Sequence, residues 1–387
     1  MFAACIPRGR PSRVTVAMIM AALALLWLAG RPALAFDPQT APAVSATAYF
    51  NAPQDGDADG LLEQRLIALI DSVPAGATLR GAFYSWSRQN VARAVVRAHA
   101  RGVDVKLVLD GGNVTSSGRP FRAVARLQDG LGARLRECGD GAATACIGSG
   151  IQHNKFLLAS ELADGRRHVI WQSSANPTRP QRRLFNDAIV LDGDLPLFTA
   201  MMRYWDALYE HDPDPAHRES AQGSGPVRVY FFPRETGDTV VDILDRVICD
   251  DGGQIHVAMA YFTGPRGAIA RRLAARVEDG CDVAVIVRQR QSGAGIRRLL
   301  QEGGVNLWVF SEDADHTVHS KYMLINAPMS DSPLGPLPVQ VVVTGSHNYT
   351  GPALRRHDET LFEIADSALH AAYLENWTLL RDRVDAQ

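Results

Sequence analysis

One order of apolar segments runs through this chain twice, and it narrows the possible folds more than any other feature. An extended "ATAYFNAP" leads to the helical pattern "GLLEQRLIALIDSV", the strand "TLRGAFYSW", the helix "NVARAVVRAHARG" and the strand "VDVKLVLD". Later, "VRVYFFP", "TVVDILDRVICD", "QIHVAMAYF", "AIARRLAARVEDG" and "CDVAVIVRQ" answer in the same order. Asp104 and Asp282 stand at matching places before apolar strands. A further helix–strand step follows in each, then a second strand, "HVIWQSSAN" against "VQVVVTGSHN". Strands alternating with helices imply parallel pairing through crossover helices. The expectation is an α/β protein of two similar halves, each a mixed, mostly parallel sheet flanked by helices. The halves span 36–210 and 227–387, joined by a polar, Pro- and Gly-rich linker at 211–226.

Residues 1–35 read as a leader rather than as part of the fold. Arg8, Arg10 and Arg13 precede an apolar run from Val14 to Ala29, and "RPALA" supplies small residues at Ala33 and Ala35. This is the layout of a secretory signal peptide cut after Ala35; the alternative is an uncleaved anchor, for which the run is short. Without the leader the chain carries a formal charge of −6, which does not suit coating a long nucleic acid. Cys138, Cys146, Cys249 and Cys281 remain, an even number in a chain expected to be exported. The expected bridges are Cys138–Cys146 and Cys249–Cys281, against the alternative of free thiols. No C-x-x-C pair offers a cysteine zinc site.

Composition sharpens the repeat at one point. Of 40 basic residues only Lys106, Lys155 and Lys321 are lysines, and two of these follow a histidine by two positions, in "HNKFLLAS" and "HSKYMLIN". After His153 and Lys155 come Ser174, Asn176 and Asp187; after His319 and Lys321 come Ser346, Asn348 and Glu359. Serine to asparagine is two residues in both halves and asparagine to acid is eleven. On strands, each His/Lys and Ser/Asn pair shares a face. Ammonium, hydroxyl and amide donors suit a phosphoryl group, and imidazole can serve as nucleophile or as acid and base.

These residues resemble the phospholipase D superfamily, whose signature is H-x-K-x4-D followed by G-S-x-N and a later acid, generally twice per active site. "GSHN" at 345–348 fits fully, and "SSAN" at 173–176 fits except at Ser173. The signature aspartate is replaced by Ser160 in one copy and Asn326 in the other. The resemblance implies a pseudo-twofold fold and a mechanism without metal or other cofactor. His153 would be the nucleophile and His319 the acid and base. Lys155, Lys321, Asn176 and Asn348 would hold the nonbridging oxygens, Ser174 and Ser346 would bind substrate, and Asp187 and Glu359 would orient the imidazoles. The expected substrate is a phospholipid at a membrane surface, with hydrolysis of its head group. Alternatives are a secreted or periplasmic nuclease of the same superfamily and a noncatalytic phosphate- or lipid-binding protein. No stable partner is implied. His316, near Asp313 and Asp315, reads as part of a solvated loop rather than a metal site, and His347 as a packing or rim residue. Tyr84, Trp86, Tyr261 and Phe262 end matching strands and read as core or cleft lining.

Overall fold

The computed structural model describes residues 45–387 apart from 55, 56, 116, 140, 250, 251 and 331–337. The expected leader at 1–35 lies outside the described residues. The first half builds a sheet from β1 (Ser45–Asn51), β2 (Thr78–Phe83), β3 (Asp104–Asp110), β4 (Leu135–Cys138), β5 (Lys155–Glu161), β6 (Arg167–Ser173) and β7 (Asn186–Asp192). Its spatial order is β1-β7-β6-β5-β2-β3-β4. The second sheet uses β8 (Ala221–Gln222), β9 (Val227–Phe232), β10 (Gln254–Met259), β11 (Asp282–Arg288), β12 (Asn306–Phe310), β13 (Lys321–Pro328), β14 (Pro338–Gly345) and β15 (Glu359–Ala365). Its order is β12-β11-β10-β13-β14-β15-β9-β8. The short β8 falls within the segment expected as linker and pairs with β9.

Both sheets are mixed, but the expectation of mostly parallel pairing is corrected. Only β2-β3-β4 and β10-β11-β12 run parallel; the other ladders are antiparallel. A parallel neighbour needs a crossover, and helices supply one only for these strands. From β5 and β13 onward the strands are joined by loops or short helical turns rather than crossover helices, which yields antiparallel ladders.

The helices divide between two outer layers and the space between the sheets. In the first half, α1 (Leu61–Ser72), α2 (Gln89–Ala100) and α3 (Arg122–Leu131) cover the outer sheet face. Leu62, Leu66, Leu69 and Ile70 of α1 recur at helical spacing and are buried there. In the second half, α5 (Thr239–Asp245), α6 (Gly267–Glu278) and α7 (Ala294–Glu302) do the same. The short α8 (Gly351–Arg355) precedes β15, and α4 (Leu195–Glu210) and α9 (Ser367–Asp385) contribute Tyr204, Trp205, Tyr373 and Trp377 to a core shared by both halves. Asp194 and Asp366 cap these two helices by accepting the N–H of Leu197 and Leu369, at 2.9 and 2.7 Å. Trp205 donates to the Gly81 carbonyl and Trp377 to that of Val257, each in the second strand of its half. The shared core thus fixes the ends of β5 and β13 against each other. Both expected disulfides form, Cys138–Cys146 and Cys249–Cys281. Among the described residues no helix is long and apolar enough to cross a membrane.

Candidate active site

His153 and His319 lie just before β5 and β13, and each is stitched to the opposite half. The His153 N–H donates to the Asp358 carbonyl at 2.9 Å, and the His319 N–H to that of Phe185 at 2.8 Å. Each motif lysine turns back on its own histidine: Lys155 Nζ donates to the His153 carbonyl, and Lys321 Nζ to that of His319 at 2.5 Å. The histidines keep 8% of their surface exposed, whereas Lys155 and Lys321 keep 0% and 1%. An imidazole edge therefore remains accessible above deeply buried ammonium groups.

The ring partners come from across the seam and differ in kind. His153 Nδ1 lies 2.9 Å from Glu359 Oε2, although the ring N–H is not well aimed at it. His319 Nδ1 lies 2.9 Å from Asn186 Oδ1. The Asn186 amide group donates to the carbonyls of Gln181 and Leu184, which fixes its oxygen toward the histidine. His319 Nδ1 must then carry the proton, leaving the lone pair on Nε2. Lys321 Nζ, 3.2 Å from the same Nδ1, accordingly finds its acceptor in the His319 carbonyl instead.

This corrects the expected role of Asp187. Its Oδ2 accepts from Thr344 Oγ1 and Tyr373 OH at 2.7 and 2.9 Å, and it does not touch His319. The ladder explains the error. Ser173 pairs with Ala188 and Gly345 with Leu361, so Asn186, not Asp187, matches Glu359, and Asp187 matches Thr360. The second half holds one more residue between these strands, which hides the offset when residues are counted from the asparagines. The Gly345 backbone also runs closer to its neighbour: a Cβ there would lie 2.2 Å from the Thr360 carbonyl oxygen. Ser173 is tolerated at the matching place, where its hydroxyl donates to the Asp187 carbonyl at 2.8 Å.

Ser174 and Ser346 are also corrected: their hydroxyls serve the fold rather than the cleft. Both are fully buried. Ser174 Oγ accepts from the Asp187 N–H at 2.9 Å, and Ser346 Oγ from the Thr360 N–H at 3.1 Å. Asn176 Oδ1 accepts from the Ser85 N–H at 3.3 Å, while Asn348 Oδ1 is buried without a hydrogen-bond partner among the described residues. The replaced signature aspartates sit at the far ends of β5 and β13. Ser160 Oγ takes the Thr78 N–H at 2.9 Å, and Asn326 Nδ2 donates to Gln254 Oε1 at 3.4 Å. Five residues of strand, about 17 Å, separate each from its lysine. Both replacements keep a polar tie to the start of the neighbouring strand.

Burial dominates the electrostatics. It pulls His153 down to about 4, against Glu359, while Lys155 and Lys321 add to the fall. Burial, with Lys321, Lys155 and Arg288, holds His319 well below the ordinary 6.5. Burial takes Lys321 down to about 7 although Asp187 and Glu359 push it up, and burial likewise holds Lys155 well below the ordinary lysine value. Burial alone would raise the Glu359 carboxyl; the surrounding imidazoles of His153, His357 and His347 outweigh it and keep the acid ionised. Each of these groups feels charges from both halves, so the two motifs form one site. Burial thus disfavours the protonated imidazoles and ammonium groups, and a bound anion would favour them.

Tyr84 and Tyr261 flank this centre. The Tyr84 ring lies 5.0 Å from that of His153, with Lys155 Nζ 5.3 Å from its centroid. Burial, then the charges of Asp110 and Tyr261, raises its hydroxyl. Trp86 and Phe262 are fully buried and belong to the outer cores. His316 bonds the Arg183 carbonyl, and His347 stacks on Phe232 while facing Arg266. Among the described residues no group of three or more His, Cys, Asp or Glu side chains could hold a metal ion.

Four neighbours escaped the sequence reading. Asn186 is hidden by the one-residue offset, although the apolar runs "AIVL" and "LFEI" would have aligned it with Glu359. His357 lies 3.8 Å from Glu359 Oε1. Asp358 accepts the N–H groups of Cys146 and Gly148 at 2.6 and 2.7 Å, clamping the Cys138–Cys146 loop beside the site. Arg288 ends β11 where Asp110 ends β3, as the match of Asp104 with Asp282 implies.

The family described as "Cardiolipin synthase, PLD-like domain" matches residues 66–209 and 250–378. No curated protein matches the chain. Among solved structures, phosphatidylserine synthase of Haemophilus influenzae Rd KW20 aligns with a TM-score of 0.58 at 15% identity, over 86% of this chain and 88% of that one. Polyphosphate kinase of Porphyromonas gingivalis aligns with a TM-score of 0.58 at 15% identity, covering 86% of this chain but 46% of its own. This chain therefore spans about half the length of that kinase. At such identities the likeness is one of fold. With both halves matched by one family and their histidines joined at one seam, the chain belongs to the phospholipase D superfamily, in the family of the cardiolipin synthase PLD-like domain.

Proposed function

We propose that the protein is an exported phosphodiesterase that hydrolyses phospholipid head groups through a phosphohistidine. The observation that carries this reading is the crossed support of the two imidazoles, His153 by Glu359 and His319 by Asn186. In each, a proton held on Nδ1 leaves the Nε2 lone pair for chemistry. A carboxylate stabilises the cation formed when phosphorus bonds to His153, which suits the nucleophile. An amide stabilises imidazolium less, which suits a group that must give up its proton readily.

His153 Nε2 attacks phosphorus while the bond to the leaving oxygen breaks and the His319 Nε2 proton passes to that oxygen. Water then attacks the phosphoimidazole and gives its proton to His319, the P–N bond breaks, and the enzyme is restored. Lys155 and Lys321, buried beneath the rings, would balance the charge on the nonbridging oxygens. A bound phosphodiester anion would favour the protonated form of His319, which burial and the neighbouring cations disfavour.

The family match and the acidic charge left after residue 35 favour lipid over long nucleic acid, and Tyr84 and Tyr261 offer amphipathic flanks to a head group. Two disulfides favour an oxidising compartment. The test is purified protein on phosphatidylcholine vesicles and plasmid DNA in parallel, with acid-labile phosphohistidine measured after quenching. Head-group release with a labelled histidine is expected. Plasmid nicking without lipid turnover would replace the lipid reading with a nuclease, and neither activity would leave a binding protein.

A further inference from the structure

β3 and β11 are matching seven-residue strands, yet one ends in an acid and the other in a base. Asp110 is fully engaged: it accepts from Thr144 Oγ1 at 2.5 Å, the Gln152 N–H at 2.9 Å and the Gly112 N–H at 2.8 Å. Gln152 immediately precedes His153, so this carboxylate is locked into the wall of the first-half motif. Arg288 has no such engagement. Its buried Nε has no hydrogen-bond partner, and no acid pairs with its guanidinium among the described residues.

Strand alternation places Arg288 on the side facing the seam. Ala284 and Ile286 of β11 lie in the shared core, whereas Val283, Val285 and Val287 lie in the outer one. The ladder partner of Arg288 is Phe310, whose ring lies 5.8 Å from that of Phe185. Phe185 is the residue whose carbonyl holds the His319 N–H. Across β10, Val287 and Lys321 both pair with Met259, which puts Arg288 at the same sheet end as the second motif. Its guanidinium carbon is 5.9 Å from the Tyr261 ring centre, and its charge reaches both His319 and Lys321.

A half-buried cation with no counter-ion among the described residues carries a desolvation cost that its contact with the Tyr261 ring offsets only in part. At a phosphoryl-transfer site, such a group fits an anion that arrives with the substrate. We propose that Arg288 forms a second anion subsite on the His319 side of the cleft, and that the substrate is a phosphodiester with a further phosphate on one arm. This rests on the phosphodiesterase reading for the first phosphate but adds a requirement that reading does not contain.

The test separates the two. Binding of inorganic phosphate, pyrophosphate and propane-1,3-diol bisphosphate is measured by calorimetry at one pH near neutral, for the wild-type protein, Arg288→Gln and Arg288→Lys. Thermal melts of each variant check folding. The better of the two-phosphate probes should bind the wild type at least about tenfold more tightly than phosphate. Arg288→Gln should remove that advantage while changing phosphate affinity less than about threefold, and Arg288→Lys should keep part of it. A wild type without the preference, or a folded Arg288→Gln that retains it, overturns the subsite. Head-group release is followed alongside on phosphatidylglycerol and on the same lipid bearing a terminal phosphate. If neither lipid is turned over while the preference persists, the hydrolase reading fails and the subsite stands.

Discussion

His153 and His319 occupy matching places in two matching halves, yet one leans on a carboxylate and the other on an amide. The contrast extends outward: the wall beside His153 ends in the satisfied acid Asp110, and the wall beside His319 in the base Arg288, unpaired among the described residues. A duplicated fold makes the two histidine positions geometrically alike; it does not make them chemically alike. Two-step transfer needs one histidine that stays bonded to phosphorus and one that passes protons. A symmetric frame with unlike supports can supply both.

Exchanging the histidines breaks the comparison most severely. His153→Gln and His319→Gln should each lower turnover by about 10³-fold, but only His319→Gln should still accumulate phosphohistidine from an activated diester. Labelling seen in the reverse pattern would swap the two roles.

The supports come next. Glu359→Gln should reduce turnover by about 10²-fold, near 2.7 kcal/mol of transition-state stabilisation, whereas Asn186→Asp should change it by less than about tenfold. Asn186→Asp should also displace the pH–rate profile. A carboxylate beside His319 favours the imidazolium, so its proton is held to higher pH and the alkaline limb moves upward. An unmoved limb would mean that His319 is not the proton carrier.

Lysine geometry gives a smaller effect. Lys155→Arg and Lys321→Arg should each lose at least about tenfold, roughly 1.4 kcal/mol, because a planar fork cannot occupy the place of a compact ammonium. Lys106→Arg should be nearly silent, since Lys106 Nζ lies 4.9 Å from the Tyr209 ring centre, a contact arginine also makes. Full activity in both folded motif variants would discard the lysine argument.

Protonation of Lys321 can be read by anion binding. With its ammonium held down to about 7, sulfate affinity should fall by up to about tenfold between pH 6 and 8, because the charge that attracts the anion is lost as pH rises. Lys321→Arg should flatten that dependence, and a wild-type affinity constant across this range would contradict it.

The smallest change is expected far from the seam. Ser160→Asp and Asn326→Asp, which restore the family's aspartates, should alter turnover by less than about twofold, since each lies about 17 Å of strand from its lysine. A large gain from either would show that the motif's far end controls the site.

Both disulfides, the four His and Lys positions and the elements up to β6 and β14 were legible because they depend on periodicity and local spacing, whereas β7, β8, β15 and the helices α4 and α9 were not read. The sense of most ladders was not, since a direct return and a crossover can leave the same apolar runs. The assignment of Asp187 failed for a related reason. Counting along the chain assumes equal loop lengths, and one additional residue moves a side chain to the opposite face of its strand.

The sequence by itself determined that two similar halves would each bring one histidine and one lysine to a strand end. Only the tertiary structure decided what those groups would meet. Glu359 reaches His153, Asn186 reaches His319, and Arg288 stands unpaired among the described residues because α4, α9 and the core they share set one half against the other. Hydrogen bonds act over about 3 Å, so partners more than a hundred residues apart in sequence are chosen by packing rather than by spacing.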